Sequence, residues 1–525
     1  MPRMGDVSLV DAARARVLAL AAELAAGEQA APRLVETPIS WVLLARSLAH
    51  KIKKPVRLPF LDFTSLAARR RYCEEELRLN RRFAPSLYLD CVEIRDSAAG
   101  ASLVGTGQVV DVAVRMRRFA DGALWSERVA AGALRARDVA AFAQRLAAVH
   151  RAAAVAPTDG AFGTAAAHAR VAKGSIAAIN AWQRRRGEPF AEWPALASWL
   201  EGECERLAPH WTSRLARGGV RECHGDLHLA NVVQLDDGPQ AFDAIEFDPA
   251  LRWIDPVDDA AFLAMDLLAH DRRDLAFCFL DCYLETSGEH AGLPALRFFL
   301  VSRALVRAQV SALAEAQGIA VQSACDAAGY LRVAAAIVAG TDARLAITHG
   351  LPGSGKSFVS QRLLQQSGAL RVRSDVERKR VFGLAPLQSS RDLVPERIYG
   401  QAATRQTYAH LRDVAELALR AGWPTIVDAA FLRRDERTTF AALANGLAAP
   451  FAILDCRAAL GLLRERVRTR EAEGDDPSEA DVAVLDRLVA ADEPLGADET
   501  ARAIVVDAAT PEPIAEIAKR WRALR

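Results

Sequence analysis

Leu345-Ala346-Ile347-Thr348-His349-Gly350-Leu351-Pro352-Gly353-Ser354-Gly355-Lys356-Ser357 decides the fold of the second half of this chain. Leu345 to Thr348 reads as a buried strand, Gly350 to Ser357 as a glycine-rich loop, and Phe358 to Gln366 as the helix that follows. Glycines let backbone N–H groups surround a phosphate, and the helix N-terminus adds positive potential there. Lys356 is placed to reach the β- and γ-phosphates, and the Ser357 hydroxyl to ligate Mg²⁺. Thr425-Ile426-Val427-Asp428 and Phe451-Ala452-Ile453-Leu454-Asp455 are further strands, and alternation with helices predicts a parallel sheet flanked by helices.

The loop is a complete Walker A motif, and the residues after it narrow the chemistry. Ser374-Asp375 follows a short strand, Leu370-Arg371-Val372-Arg373, where an aspartate can take a proton from a substrate hydroxyl. Arg378 lies one helical turn on, placed to hold a substrate phosphate or the γ-phosphate. Asp428 ends an apolar strand like a Walker B acid and is a metal-ligand candidate. Arg466 and Arg470 are spaced to share one helix face, followed by a polar, loop-like Glu471 to Pro477. This set resembles the polynucleotide kinase, zeta toxin and chloramphenicol phosphotransferase group over residues 344–525. The resemblance implies a mobile lid whose arginines close over the transferring phosphate.

A second signature lies far upstream: His224-Gly225-Asp226-Leu227-His228-Leu229-Ala230-Asn231. Asp226 and Asn231 have the spacing of a catalytic aspartate and a cation-binding asparagine, and Asp243 follows on the next strand after Asp236-Asp237-Gly238. One loop and one hairpin can thus aim three oxygen ligands at a hard cation. The pattern resembles the aminoglycoside phosphotransferase and choline kinase superfamily over residues 34–340. Upstream, Ala49-His50-Lys51 resembles the Ala-x-Lys of kinase small lobes, which favours Lys51 as the α/β-phosphate contact, with Lys53 on the same strand face as the alternative. Glu76, on a helix capped by Ser65, is favoured over Glu74 and Glu75 as the partner of that lysine. No Gly-x-Gly-x-x-Gly covers the phosphates; Thr37-Pro38-Ile39-Ser40 occupies that place, and Pro38 removes one backbone donor. His224 and His228 read as loop-packing residues, and Glu246 and Asp248 as surface or structural acids.

Together the resemblances imply a multidomain α+β and α/β chain, similar to the bifunctional aminoglycoside phosphotransferase/ATP-binding protein family. Residues 1–340 are expected to form a bilobal protein-kinase-like domain with 1–33 as a helical extension. Residues 341–525 are expected to form a P-loop NTPase kinase domain. ATP and Mg²⁺ are the implied cofactors, and a hydroxyl of a small molecule the implied acceptor. One domain acting as a nucleotide sensor for the other is an alternative, as is a nucleic-acid 5′-hydroxyl kinase. Against nucleic acid stand a net charge of +1 and an aromatic content of 6% across 525 residues, which provide neither a global field nor many stacking platforms. The acids Asp266, Asp271, Glu285 and Glu289 are scattered and mark no polycation-binding surface, so antibiotic inactivation does not follow from the resemblance. Eight single cysteines without a Cys-x-x-Cys pair suggest reduced thiols and a cytoplasmic protein. Leu18 to Ala26, interrupted by Glu23, reads as an ordinary helix rather than a signal peptide, and no apolar run reaches the roughly 18 residues of a membrane span.

Overall fold

The computed structural model describes residues 4–27, 32–58, 61–317, 324–386, 388, 398–473, 477–510 and 512–524. The chain divides into two compact units. The first comprises Met1–Leu134, Val149–Gly163 and Gly218–Asp259; the second comprises Arg135–Ala148, Thr164–Arg217 and Ala260–Arg525. The expected boundary at 340 therefore falls inside the second unit, which contains helices from both sides of it.

The first unit is organised by a five-stranded antiparallel sheet. Its strands are β1 (Arg33–Glu36), β2 (Ser40–Leu44), β3 (Leu48–Lys53), β4 (Tyr88–Arg95) and β5 (Val109–Arg117), in the order β1-β2-β3-β5-β4. Arg33, expected as the last residue of the helical extension, already belongs to the sheet: Arg33 to Glu36 pair with Leu44 to Trp41. β3 stops at Lys53, two residues before Pro55, whose missing N–H would break the ladder.

Two helices cover the two faces. Helix α1 (Met4–Gly27) sets Ala13, Val17 and Leu20 against Trp41, Leu43, Ile52 and Ile94. Helix α2 (Leu66–Asn80) starts where the Ser65 hydroxyl accepts the Ala68 N–H at 3.1 Å, and it sets Cys73 against Ala49, Tyr88, Val112 and Val114. Because successive side chains on a strand alternate in face, Lys51 and Lys53 share the side of Ala49, the side that α2 covers. A hairpin, β6 (Val232–Leu235) and β7 (Gly238–Ala241), carries the chain from Asn231 to Asp243.

The second unit contains helix α3 (Arg273–Ser287) and a five-stranded parallel sheet. Its strands are β8 (Leu345–His349), β9 (Leu370–Arg373), β10 (Thr425–Asp428), β11 (Phe451–Arg457) and β12 (Ala503–Asp507), in the order β9-β10-β8-β11-β12. The order reverses at β8, so a crevice opens beyond its carboxyl end. Helix α4 (Lys356–Ser367) leaves from that point, followed by α5 (Ser374–Val381), α6 (Gln401–Arg420) and α7 (Leu460–Glu473). The loop-like reading of Glu471 to Pro477 is corrected at its start. Glu471, Ala472 and Glu473 are good helix formers and extend α7, whereas 474–476 lie outside the described residues.

Replacing Leu20, fully buried between α1 and the sheet, by alanine should destabilise the first unit by roughly 2–5 kcal/mol. Amide hydrogen exchange is expected to speed up in Ser40–Leu44 and to stay unchanged in Leu345–His349; equal acceleration in both would contradict the division into units.

Candidate functional site

In the first unit one buried carboxylate organises the loop that carries Asp226. Asp259 is fully buried; its Oδ2 accepts the His224 N–H and its Oδ1 the Gly225 N–H, both at 2.9 Å, and His150 Nε2 lies 3.0 Å from Oδ2. Burial alone would raise the Asp259 pKa, but His150, His224 and the backbone donors lower it to about 2. Gly225 is required at the bend: its φ is +87°, and a Cβ there would sit 2.5 Å from the Leu251 carbonyl oxygen. His224 turns its ring inward, with Nε2 2.9 Å from the Phe242 carbonyl and the imidazole edge-on to Phe83. Thus His224 is a packing residue, and Asp226 is left half-exposed, its carboxylate 3.4 Å from His228 Nε2.

Asn231 ends a single 3-10 turn, Leu229–Asn231, and its Nδ2 donates to the Asp226 carbonyl at 2.9 Å and to Asp226 Oδ2 at 3.2 Å. With the nitrogen committed, Oδ1 is the atom suited to a hard cation. Asp243 adopts φ +65°, uncommon for a residue with a Cβ. That conformation is held from outside: Tyr88 Oη accepts the Asp243 N–H at 3.1 Å, and Asn80 Oδ1 accepts the next N–H, of Ala244, at 2.9 Å.

The lysines are joined through Glu76. Lys51 donates to Glu76 Oε1 at 2.8 Å and is also paired with Asp243; Lys53 donates to Glu76 Oε2 at 2.7 Å and is paired with Glu246. Burial would raise the Glu76 pKa, yet two ammonium groups outweigh it and hold the acid near about 2. For Glu246, in contact with Lys53 only, burial and the charge of Glu76 outweigh Lys53 and the more distant Lys51 and raise the pKa. Burial likewise opposes the charge on Lys51, but Asp243, Glu76 and Glu246 keep its pKa well above the ordinary lysine value. The two lysines differ in exposure. The Lys53 side chain is fully buried, while Lys51 reaches the half-exposed Asp243. Of the two readings of Glu246, surface or structural acid, the structure has the structural one: it is a buried counterion of Lys53. Asp259, Tyr88 and Asn80 escaped the sequence reading; the acid run Asp255-Pro256-Val257-Asp258-Asp259 was the available signal, without a sign of which acid turns inward.

In the second unit Lys356, Ser357, Asp375, Arg378, Asp428, Arg466 and Arg470 all line one cleft of about 1890 Å³. Beneath it the loop is tightly packed. Gly350 has φ +138°, and a Cβ there would lie 2.4 Å from the Cys456 carbonyl oxygen. Lys356 Nζ donates to the Leu351 carbonyl at 2.9 Å, and burial lowers its pKa against the opposing charges of Asp428 and Asp375. Pro352 and Gly353 form the outer wall of the loop, and Arg466 Nη1 reaches over to donate to the Gly353 carbonyl at 3.1 Å. Arg470 instead donates to the Ala480 carbonyl at 3.0 Å.

Two polar atoms in and beside this cleft are left without a partner, one on the cleft-lining Arg378 and one on Ser354 of the loop beneath it. Ser354 Oγ, in the glycine loop next to Gly355, and Arg378 Nε are both buried without a hydrogen-bond partner. Arg378 is otherwise anchored to the Ile398 carbonyl at 2.8 Å and stacked over Tyr399. Asp428 is buried at the end of β10, where Ser360 Oγ donates to Oδ2 at 3.0 Å. Ser357 and Asp428 therefore present a hydroxyl and a carboxylate to one space, a donor set that suits Mg²⁺. The acids Asp266, Glu285 and Glu289 are each engaged elsewhere in this unit, by Tyr330, Arg371 and Arg214.

Residues 345–495 match the family model described as AAA domain. An uncharacterized protein of Mycobacterium tuberculosis (strain ATCC 25618 / H37Rv) is 29% identical over 461 residues, covering 85% of this chain and 88% of its own. A gluconokinase from Sinorhizobium meliloti 1021 is similar over 34% of this chain and 90% of its own, with 20% identity and a TM-score of 0.24. A choline/ethanolamine kinase family protein from Mesorhizobium loti is similar over 63% of this chain and 94% of its own, with 15% identity and a TM-score of 0.36. Among the described residues no helix is long and apolar enough to cross a membrane.

A carboxyl whose folded pKa is depressed contributes stability above its unfolded pKa and loses it as pH falls toward the folded value. For Asp259 that window runs from 3.8 down to about 2. Denaturation of wild type and Asp259→Asn from neutral pH down through this range should show the variant weaker by on the order of 2 kcal/mol at neutral pH. The gap should narrow as pH falls; a gap independent of pH would contradict the ionised anchor.

Proposed function

We propose that the chain is an ATP- and Mg²⁺-dependent phosphotransferase with two nucleotide sites, each moving the γ-phosphoryl group to a hydroxyl of a small molecule. The observation that carries this reading is a repeated set of parts. Each site gathers a phosphate-contacting lysine (Lys51, Lys356), cation-holding oxygens (Asn231 and Asp243; Ser357 and Asp428) and an aspartate facing the open side (Asp226, Asp375). A site that merely bound a nucleotide has no need of the third part.

Mg²⁺ supplies charge neutralisation of the phosphates when bound. The side chains do the remainder. Asp226, held by the Asn231 amide, accepts the proton of the attacking hydroxyl. Lys51, oriented by Glu76, contacts the α/β-phosphates, while Lys53 stays in the interior to hold Glu76 in place. In the second site Asp375 takes the acceptor's proton, Lys356 and the loop N–H groups bind the β- and γ-phosphates, and Arg378 meets an anionic group with its free Nε. Arg466 and Arg470 project from α7 beside the loop, where they stabilise charge on the transferring group.

ATP turnover against a library of hydroxyl compounds, with Asp226→Asn and Asp375→Asn made separately in the full chain, tests the assignment. Each change is expected to remove transfer to its own set of acceptors by roughly 10²–10⁴-fold and to leave the other set untouched. If neither change affects transfer to any accepted compound, the two-site reading fails.

A further inference from the structure

The metal side of the phosphate-loop site is held by a residue far outside the 345–495 match. Arg371, on β9, is buried, and its guanidinium is divided between two tasks. Nε and Nη2 grip Asp281 of α3 in a two-point ion pair at 3.1 and 2.7 Å. Nη1 donates to the Ser357 carbonyl and to Ser360 Oγ, each at 3.2 Å, and lies 3.7 Å from Asp428 Oδ2. Ser360 in turn donates to that same Asp428 oxygen. Arg373, two residues along β9, repeats the pattern between Glu285 at 3.6 Å and Asp428 at 3.9 Å.

The same stretch also holds the acceptor side. His290 Nε2 lies 3.0 Å from Glu377, which sits on α5 between Asp375 and Arg378. Arg380 of α5 donates to the Glu285 carbonyl.

We propose that Asp281 is a positioning residue for the phosphate-loop site, neutralising Arg371 so that Asp428 stays free to hold the catalytic cation. The electrostatics give the direction. A guanidinium in the interior seeks a carboxylate because its charge is poorly solvated. With Asp281 ionised, Arg371 has its full bidentate partner, and its contact with Asp428 stays long. With Asp281 neutral, Asp428 and Glu285 are the remaining acids within 4 Å of Arg371, and the arginine competes with Mg²⁺ for Asp428. The proposal rests on the phosphotransferase reading of this site. It adds that the site is completed by a helix from before residue 340, so the P-loop fold is not self-sufficient.

The test uses the full chain carrying Asp226→Asn, so that ADP formation from ATP reports the phosphate-loop site, with Mg²⁺ concentration as the variable. Mg²⁺ binding to the same variants by titration calorimetry, without turnover, is the second readout and should weaken in parallel. Asp281→Asn, which keeps the shape, should raise the Mg²⁺ concentration for half-maximal turnover by about 10–100-fold, the usual range for groups that orient a metal ligand. Asp281→Glu, which keeps the charge, should stay within about threefold of the parent, well short of that range. The double variant Asp281→Asn/Arg371→Gln removes both charges, avoids an unpaired buried ion, and should return the Mg²⁺ requirement toward the parent. It also serves where the single variant folds poorly. A lower maximal rate with an unchanged Mg²⁺ requirement in Asp281→Asn would overturn the proposal, as would a double variant no better than the single one. Lys356→Ala in the same background separates the two readings. If it leaves turnover intact, phosphoryl transfer at this site is wrong; if it abolishes turnover while Asp281→Asn leaves the Mg²⁺ requirement alone, only the positioning role is wrong.

Discussion

A carboxylate taken out of water must find cations or donors, and this chain places its most deeply buried acids where that requirement fixes chemistry. Glu76 is the clearest case. It is fully buried and touches two lysines, one per oxygen. Glu246, in contact with Lys53 alone and facing the charge of Glu76, goes the other way: burial raises its pKa against the lysines. The second lysine tips Glu76 firmly to the ionised side, and an ionised Glu76 holds Lys51 charged and aimed at Asp243. Strand alternation on β3 makes this arithmetic available, since Lys51 and Lys53 share a face and α2 lies across it.

The backbone carries the complementary constraint. Gly225 and Asp243 both adopt left-handed conformations on either side of the β6–β7 hairpin. For Gly225 the absence of a Cβ suffices, because the Leu251 carbonyl leaves no room for one. Asp243 has a Cβ and no such freedom, so Tyr88 and Asn80 each supply a hydrogen bond that holds the turn. Asp259 does the same for the loop with two N–H groups. Residues that never face the open side of the site therefore determine where Asp226 and Asp243 point.

This division explains what was legible in the sequence. Gly350 to Ser357, Asp226 with Asn231, and the order of strands and helices were readable because each is a local pattern: a loop, a fixed spacing, a period. Ser65 as a helix cap and the end of β3 before Pro55 belong to the same class. The supports were not readable, because they act across the fold. Tyr88 lies 155 positions from Asp243 and Asp281 lies 90 from Arg371. No spacing rule links such pairs. The choice between Lys51 and Lys53 was open for a related reason: period-2 alternation put both on the face that α2 covers, and the difference in their exposure is a property of packing. Glu246 stayed undivided between a surface and a structural acid because its polarity was visible and its lysine was not.

The Asp281–Arg371–Asp428 chain is hard to account for by stability. A buried ion pair costs several kcal/mol per ion to desolvate, and apolar replacements are often neutral or better by about 1–4 kcal/mol. What they could not do is fix the charge beside Asp428, or hold the Ser357 carbonyl and Ser360 hydroxyl that frame it. A charge retained at such expense fits a place where a second charge comes and goes, and under the proposed phosphotransferase reading that second charge would be the cation accompanying the nucleotide. On this argument α3 and the P-loop fold form one functional piece, and residue 340 marks a change of sequence grammar rather than the edge of the site.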